Sequence, residues 1–344
     1  MKKIHSIALL LMLMASLSAS AQEKTPSYLP ELHGTIRSKY EYQPDLDAGR
    51  FEVRNARFSL SGKVTPYVAY KAEIDLCDEG SIKMLDAYTR LTPWKNFQMT
   101  LGQMRVPFTI DAHRSPHQQY FANRSFIAKQ VGNVRDVGVT LGYKWTDGLP
   151  ITLEGGLFNG SGLTNQKDYW TKGINFSTKM QINLPAGFNV TLSMQKIKPE
   201  LVAEYLYDVG INYHSHRWHI EAEYLSKHYQ HNAFQSVNAF DGFICYDLPL
   251  RHSFFSKVSF LGRFDYMDNH SDGKAYLDGK ANPEGTLIVN DHRRNRLTGG
   301  ITLSLGKPFI SDIRINYEKY HYSNGGTPKI SEQDKVVIEV MTRF

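Results

Sequence analysis

Polar and apolar residues alternate along segments of about ten residues through most of the chain. Every second residue from Ile174 to Leu184 is apolar apart from Thr178, and the residues between them are polar. Residues 188–195 repeat the alternation after the turn-forming residues 185–187. A period of two residues is that of a β-strand with one apolar and one polar face. About ten residues is also the length that a tilted strand needs to cross a bilayer.

Sixteen such segments can be counted, and the links between them alternate in length. The short links are residues 65–66, 93–95, 147–148, 185–187, 215–217, 249–252 and 306–308. The longer ones are residues 43–50, 77–81, 107–133, 159–171, 197–203, 230–238, 267–294 and 323–334. This alternation is typical of outer-membrane barrels, which have short periplasmic turns and long extracellular loops. The prediction is an all-β fold, a transmembrane antiparallel β-barrel of about 16 strands with the third loop folded inward.

Both ends of the chain agree with export to an outer membrane. Val336, Ile338, Val340, Thr342 and Phe344 share one face of the last segment, as expected of a strand that seals a barrel in lipid. At the other end, two lysines precede an apolar run at residues 7–17 and small residues at 19–21. Residues 1–21 therefore read as a secretory signal peptide, and residues 22–344 as one barrel domain.

Composition directs attention to the lumen of this barrel. The mean hydropathy is −0.40, as expected if half of each strand faces water, and 20 Tyr and 18 Phe suit the aromatic girdles of such barrels. The net charge of +6 is compatible with contact with lipopolysaccharide and gives no case for nucleic-acid binding. Sixteen strands leave room for an aqueous channel. The first hypothesis for function is therefore an aqueous pore.

The third long link, residues 107–133, is the expected constriction, because a loop of this length usually has a functional use. It carries Arg114, Arg124 and Lys129 against a single acid, Asp111, and Arg105 and Arg135 flank it. Its two histidines, His113 and His117, would add positive charge below about pH 6.5. The alternative is a solvated surface loop whose basic residues contact lipopolysaccharide phosphates.

Several segments carry a family resemblance. They are residues 86–88, 101–108, 121–124, 136–139 and 156–160, of which Gly-Gln-x-x-x-Pro-Phe at 102–108 is the most specific part. In these segments the chain resembles the phosphate-selective porins of the O and P type. The resemblance implies a trimeric, sixteen-stranded porin in which basic residues of the inward loop and of the wall bind small anions.

The polar strand faces assigned to the lumen, together with the third long link and its flanks, give a set of candidate residues for the pore and for anion binding. They are Arg37, Lys39, Arg57, Lys71, Arg90, Arg105, Arg114, Arg124, Lys129 and Arg135. Glu41, Glu73, Asp75, Asp86 and Asp136 share the early faces. On later strands the acids Asp208, Glu221, Glu223, Asp241, Asp247 and Asp265 are predicted to outnumber inward Lys and Arg. A basic wall facing an acidic one would set up a transverse field.

Two other functions stay open at this stage. His321 and Ser323 lie in a His-x-Ser-Asn-Gly segment similar to that of outer-membrane phospholipase barrels, which would act as acyl hydrolases, although no Asn follows on the last strand to orient the histidine. The third loop and residues 267–294 could instead plug the lumen of a non-conducting surface receptor.

Cofactor chemistry has little support in the sequence. Cys77 and Cys245 are far apart, so that a disulfide stays open while unpaired thiols are favoured. His214, His216 and His219 straddle a turn, and no Cys or acid nearby in the sequence completes a metal set. No cofactor or metal is therefore expected, and the enzyme alternative is the weaker one.

Overall fold

The computed structural model describes residues 28–344 apart from 79, 131–133, 164–165, 252–253, 283, 307–309, 324–325 and 327. The predicted signal peptide, residues 1–21, lies outside the described residues. The strands β1–β19 are Glu31–Gln43, Ala48–Thr65, Val68–Asp78, Ser81–Leu91, Phe97–Arg105, Arg135–Trp145, Ile151–Phe158, Asn175–Asn183, Phe188–Ile197, Glu204–His214, Trp218–Tyr229, Val237–Pro249, Phe255–Met267, Ala275–Leu277, Lys280–Ala281, Thr286–Leu287, Arg294–Leu305, Ile310–Tyr322 and Lys335–Arg343. Short 3₁₀ turns are Pro44–Leu46, Asp111–His113, Pro116–Gln118, Ile127–Lys129, Pro185–Gly187 and Gln230–Asn232.

Sixteen of these strands form one closed antiparallel barrel, which confirms the predicted fold. Strands β1–β13 follow one another around the barrel, β17–β19 complete it, and β19 pairs with β1. The three short strands β14–β16 form a small separate sheet within the long link between β13 and β17. Short turns and long loops therefore lie at opposite rims, called here the short-turn end and the long-loop end.

The last residue takes part in closing the barrel. The Gly34 N–H donates to the Phe344 carbonyl at 2.8 Å, and the Phe344 N–H donates to the Gly34 carbonyl at 3.0 Å. The Phe344 ring lies so close to Gly34 that a Cβ there would be 2.3 Å from the ring. Glycine thus leaves the space that the aromatic ring occupies at this seam.

The two faces of the barrel reverse the usual arrangement of a soluble protein. On β19, Ile338 and Val340 are exposed outward, whereas Lys335, Glu339 and Met341 are buried on the inner face. Polar strand faces enclose the lumen, and apolar faces are left for lipid, because charged side chains are costly in hydrocarbon. Within the described residues, no helix is long and apolar enough to cross a membrane.

One part of the inner face departs from this polar pattern. On β10–β13 the inward residues include Leu206, Leu225, Val237, Ala239 and Met267, all fully buried. They form an apolar cluster with Phe108, Phe126 and Ile127 of the link between β5 and β6. This link, residues 106–134, is called loop L3. An apolar core therefore lies inside the barrel and fixes L3 on one side.

Candidate functional site: a constriction built by loop L3

Loop L3 is bonded to the inward faces of strands that are distant from it in sequence. Arg114 forms a bidentate ion pair with Glu221 of β11, with one N–H···O distance of 2.8 Å. The Phe126 N–H donates to Asp265 of β13 at 3.2 Å, and the Ala122 N–H donates to Asn316 of β18 at 2.9 Å. These contacts carry the loop across the interior of the barrel.

Within L3, Asp111 organises the turn that presents the basic residues. Its carboxylate accepts the Ser125 N–H at 2.9 Å and the Ser125 hydroxyl at 3.1 Å. Burial raises the pKa of the Asp111 carboxyl, but Arg124, Arg114 and the Ser125 N–H together hold it below its ordinary value. The carboxylate is therefore charged at neutral pH and fixes the backbone around Arg114 and Arg124.

Two cavities lie on either side of L3. The cavity toward the long-loop end has a volume of 240 Å³, and the one toward the short-turn end has a volume of 730 Å³. Gln119 of L3 lines both. The smaller cavity is strongly basic: nine Lys and Arg residues line it against three acids. The basic residues are Arg37, Lys39, Arg50, Arg54, Arg57, Arg124, Lys129, Arg296 and Lys335, and the acids are Glu41, Glu52 and Asp78.

Seven of the ten candidate residues from the sequence are held in ion pairs with carboxylates. The pairs are Arg37 with Glu339, Lys39 with Glu41, Arg57 with Asp75, Lys71 with Asp86, Arg114 with Glu221, Lys129 with Glu332 and Arg135 with Asp86. A cation already matched by a carboxylate has fewer N–H groups left for a passing anion. The seven pairs therefore form a charge-compensated lining.

The remaining three candidates donate to neutral oxygens instead. Arg90 donates to the Thr100 hydroxyl at 3.1 Å and lies over the Tyr88 ring. Arg105 and Arg124 both donate to the Arg114 carbonyl, at 2.9 Å and 2.6 Å, so that two guanidinium groups converge.

The Asp111 carboxylate lies 3.9 Å from the Arg124 guanidinium. Burial lowers the pKa of Arg124 to about 10, and the cations Arg37 and Arg57 add to this lowering. The guanidinium remains charged at neutral pH, in a setting where an anion would stabilise it.

The structure shows what the acids of the later strands bind. The acids Glu221, Glu223 and Asp265 are buried on later strands as expected, but they bind L3: Glu223 accepts the Ile110 N–H at 2.5 Å. The same half of the barrel also carries buried basic residues that the sequence reasoning missed. They are Lys179, Lys227, Arg263, Arg294, Arg296, Arg314 and Lys335. Among the described strand residues from β8 onward, nine buried acids still outnumber these seven bases, as predicted. They are Glu204, Asp208, Glu221, Glu223, Asp241, Asp247, Asp265, Glu318 and Glu339.

The signal for part of this missed set was present in the sequence. Arg294, Arg296 and Thr298 share the polar face of β17, which alternates like its neighbours. Arg294 and Arg296 lie over the Phe126 ring at 4.4 Å and 4.8 Å from its centroid. These two arginines lie on β17, the neighbour of β13, and support L3 beside its apolar anchor.

The L3 histidines do not titrate as the sequence suggests. Burial lowers the pKa of His113 well below its ordinary value, with Lys179 and Arg105 contributing. Burial and the neighbouring Arg343 lower the pKa of His117 to about 4. His117 therefore stays neutral until the pH approaches about 4, and His113 also gains its charge only well below pH 6.5.

The remaining sequence candidates are dispersed. His321 is exposed on the outer face of β18, and Ser323 follows the end of that strand, while residues 324–325 lie outside the described residues. Cys77 and Cys245 are both free thiols. Among the described residues, no three His, Cys, Asp or Glu side chains are arranged to hold a metal ion.

With the barrel and its constriction described, the chain can be compared with known proteins. A model of the family described as phosphate-selective porin O and P matches residues 33–213, more than half of the chain. The chain belongs to the phosphate-selective porin O and P family. This porin is thus an outer-membrane channel protein by family, as the resemblance in its sequence predicted. A comparison with curated proteins finds no match.

Solved structures show the same fold at low sequence identity. An anion-selective porin from Comamonas acidovorans is 10% identical, with a TM-score of 0.62, and the match covers 92% of this porin and 98% of that chain. The outer membrane channel DcaP of Acinetobacter baumannii is 14% identical, with a TM-score of 0.58 and coverage of 92% and 97%. A trimer form of OmpT from Vibrio cholerae is 11% identical, with a TM-score of 0.59 and coverage of 92% and 98%.

Proposed function

We propose that this porin forms a passive aqueous channel for small hydrophilic solutes that favours anions, phosphate among them. The observation that carries the proposal is the 240 Å³ cavity on the long-loop side of L3, which nine basic residues line, among them Arg124, whose guanidinium donates to carbonyl oxygens and not to a carboxylate. A lumen with an excess of one charge concentrates ions of the opposite charge, and low-dielectric walls strengthen the effect.

Arg124 and Arg105 are the proposed contacts for the anion. Arg124 lines the basic cavity, and Arg105 meets it at the Arg114 carbonyl. The planar guanidinium group matches phosphate oxygens in a bidentate manner, which favours arginine over lysine at such a point. The seven ion-paired candidates contribute to the field of the lumen, and their N–H groups stay with their carboxylates.

The setting of the channel is proposed from the family and from the sequence. Residues 1–21 serve as a cleaved signal peptide, and residues 22–344 assemble in the Gram-negative outer membrane, in contact with its lipid and lipopolysaccharide. A homotrimer is supported by the trimer form of the V. cholerae neighbour.

The experiment is the zero-current potential of the purified protein in planar bilayers across a salt gradient, followed by titration with phosphate. We expect a potential of anion sign and a block of chloride current by phosphate. Arg124→Gln should weaken that block about tenfold, because one charge-assisted contact is worth about 1.5–3 kcal/mol.

Arg217→Gln is the matched control, since Arg217 lies exposed in a turn at the short-turn end. It removes the same charge and should leave phosphate block unchanged. A potential of cation sign would refute anion preference and leave a general porin. Failure of the folded wild type to conduct would refute the channel and favour the non-conducting receptor.

A further inference from the structure

Two histidines face each other across neighbouring strands at the short-turn end. His214 ends β10 and His219 begins β11, and the two are direct partners in the strand register. Their Nδ1 atoms are 2.7 Å apart. Side chains of directly opposed residues in an antiparallel pair point to the same side of the sheet. Here that side is the lumen, because both residues line the 730 Å³ cavity.

The hydrogen bonds fix which nitrogen of His219 carries the proton. His219 Nε2 is 3.2 Å from a carboxylate oxygen of Asp247 on β12. An ionised carboxylate accepts and cannot donate, so the Nε2–H of His219 is the donor. The Nδ1 of the neutral ring then carries a free lone pair, which accepts the Nδ1–H of His214. A histidine whose far nitrogen donates to a carboxylate is the usual arrangement of a metal-ligating imidazole.

Asp247 is itself held in place by other side chains. Its oxygens accept the Ser259 hydroxyl at 2.6 Å and the Lys257 ammonium group at 2.7 Å. The His219 ring is thereby oriented before any ligand arrives, which lowers the entropic cost of binding. Lys257 offsets the charge of the Asp247 carboxylate. The affinity of this place for a cation therefore depends on the imidazole nitrogens more than on net charge.

We propose that His214 and His219 form a binding site for a borderline-soft divalent cation such as Zn²⁺, in the vestibule at the short-turn end. The ion replaces the proton between the two Nδ1 atoms, and that proton moves to Nε2 of His214. Zinc–nitrogen bonds of about 2.0–2.1 Å in a tetrahedral site require the two nitrogens to be about 3.3 Å apart. His214 is exposed, so its side chain can turn outward by that amount.

Water from the cavity completes the coordination. Cys245 is the register partner of His219, but its Sγ lies 3.6 Å from Asp247 and is buried, so the thiol is occupied elsewhere. Imidazole nitrogens favour Zn²⁺, Cu²⁺ and Ni²⁺ over Mg²⁺ and Ca²⁺, which prefer oxygen ligands. The proposal does not depend on anion conduction and can be tested without it.

The test is calorimetric titration of the purified, folded barrel with ZnCl₂, and with MgCl₂ as the hard-cation control. We expect one saturable Zn²⁺ site per chain and no saturable Mg²⁺ binding. His214→Ala and His219→Ala should each weaken Zn²⁺ binding at least tenfold. His216→Ala is the matched control, since His216 lies in the turn between the two strands and should leave binding unchanged.

A second readout reports the ligands themselves. With Cu²⁺ in place of Zn²⁺, electron paramagnetic resonance should show coupling to two imidazole nitrogens in the wild type and to no more than one in His214→Ala. That variant removes an exposed side chain, so its barrel should fold as the wild type does. Equal Zn²⁺ binding by the wild type and both variants, or its absence from the wild type, would overturn the proposal.

Discussion

Two walls of the same lumen are built on different principles. The inward faces of β10–β13, called here the anchoring wall, combine fully buried apolar residues with acids that bind L3. The inward faces of β1–β4, called here the ion-pair wall, carry bases and acids in direct pairs such as Lys39 with Glu41 and Lys71 with Asp86. One wall resembles the core of a soluble protein, and the other is a network of ion pairs.

The difference shows how a wide barrel acquires a narrow passage. The anchoring wall fixes L3 on one side, because Phe126 and Ile127 are fully buried there. The opposite edge of the loop, with Arg124, then lines the basic cavity beside Arg37 and Arg57 of the ion-pair wall. Packing thus determines where the charge is placed.

The largest expected effect comes from removing the apolar anchor. Phe126→Ala should destabilise the barrel by about 4 kcal/mol, because it leaves a cavity at a fully buried aromatic site. Urea unfolding in detergent measures this loss, and single-channel conductance should rise as L3 loosens. Phe51→Ala, at an outward side chain that is 86% exposed, is the control and should leave conductance unchanged. Unaltered conductance of Phe126→Ala would contradict the role of the anchor.

The next effect concerns the ion pair that ties L3 to the same wall. Glu221→Gln should cost about 3 kcal/mol in the unfolding free energy, because it leaves the mostly buried Arg114 guanidinium without its carboxylate. The double variant Arg114→Gln with Glu221→Gln should recover part of that loss, since no uncompensated charge remains. If the double variant loses as much unfolding free energy as the two single variants lose together, the two residues act independently.

A third comparison separates a cation hydrogen-bonded to carboxylates, Lys71, from Arg124, which donates to carbonyl oxygens. Lys71→Gln and Arg124→Gln each remove one positive charge, so both should shift the zero-current potential toward cations. Phosphate block should weaken in Arg124→Gln alone, because Lys71 is already bound by Glu73 at 2.7 Å and Asp86 at 2.6 Å. If phosphate block weakens equally in the two variants, anion binding depends on the total positive charge of the lumen and not on a contact with Arg124.

The smallest effect is expected from pH. Because the pKa of His117 lies at about 4 and that of His113 well below its ordinary value, neither ring gains charge between pH 7 and pH 5. The zero-current potential of His113→Gln with His117→Gln should therefore match the wild type across that range. In the wild type, the contribution of His113 and His117 to the unfolding free energy should fall as the pH drops below about 6.5. The unfolded histidines bind protons in that range, and the folded ones do not. If the zero-current potential shifts between pH 7 and pH 5 in the wild type but not in the variant, the assignment of both histidines as neutral in this range is contradicted.

The fold could be predicted from the sequence because its signals are local. Alternation along residues 174–184 and 188–195 identifies a hairpin with one lipid face, and the lengths of the links assign each to a rim. The apolar cluster at Leu206, Leu225 and Met267 was less visible, because occasional apolar residues on a polar face do not disturb the period. Their meaning depends on L3, which approaches them from about a hundred residues earlier in the chain.

The site could be predicted only in outline. The sequence identifies L3 and its basic residues, but which cations are compensated depends on partners such as Glu339 for Arg37, which is 302 residues away. The same holds for Arg114, whose partner Glu221 was expected to face the pore. No pattern along one strand shows that a distant loop will bind its acids.

Loop L3 has a mechanical consequence as well. Its two ends continue into β5 and β6, and its bonds to Arg37, Glu221, Asp265 and Asn316 reach β1, β11, β13 and β18 in the opposite half of the barrel. A hollow cylinder without internal bracing flattens easily when the surrounding sheet is compressed, whereas one with a transverse strut keeps its cross-section. Lateral pressure in the membrane should therefore leave the bore of this tube nearly unchanged.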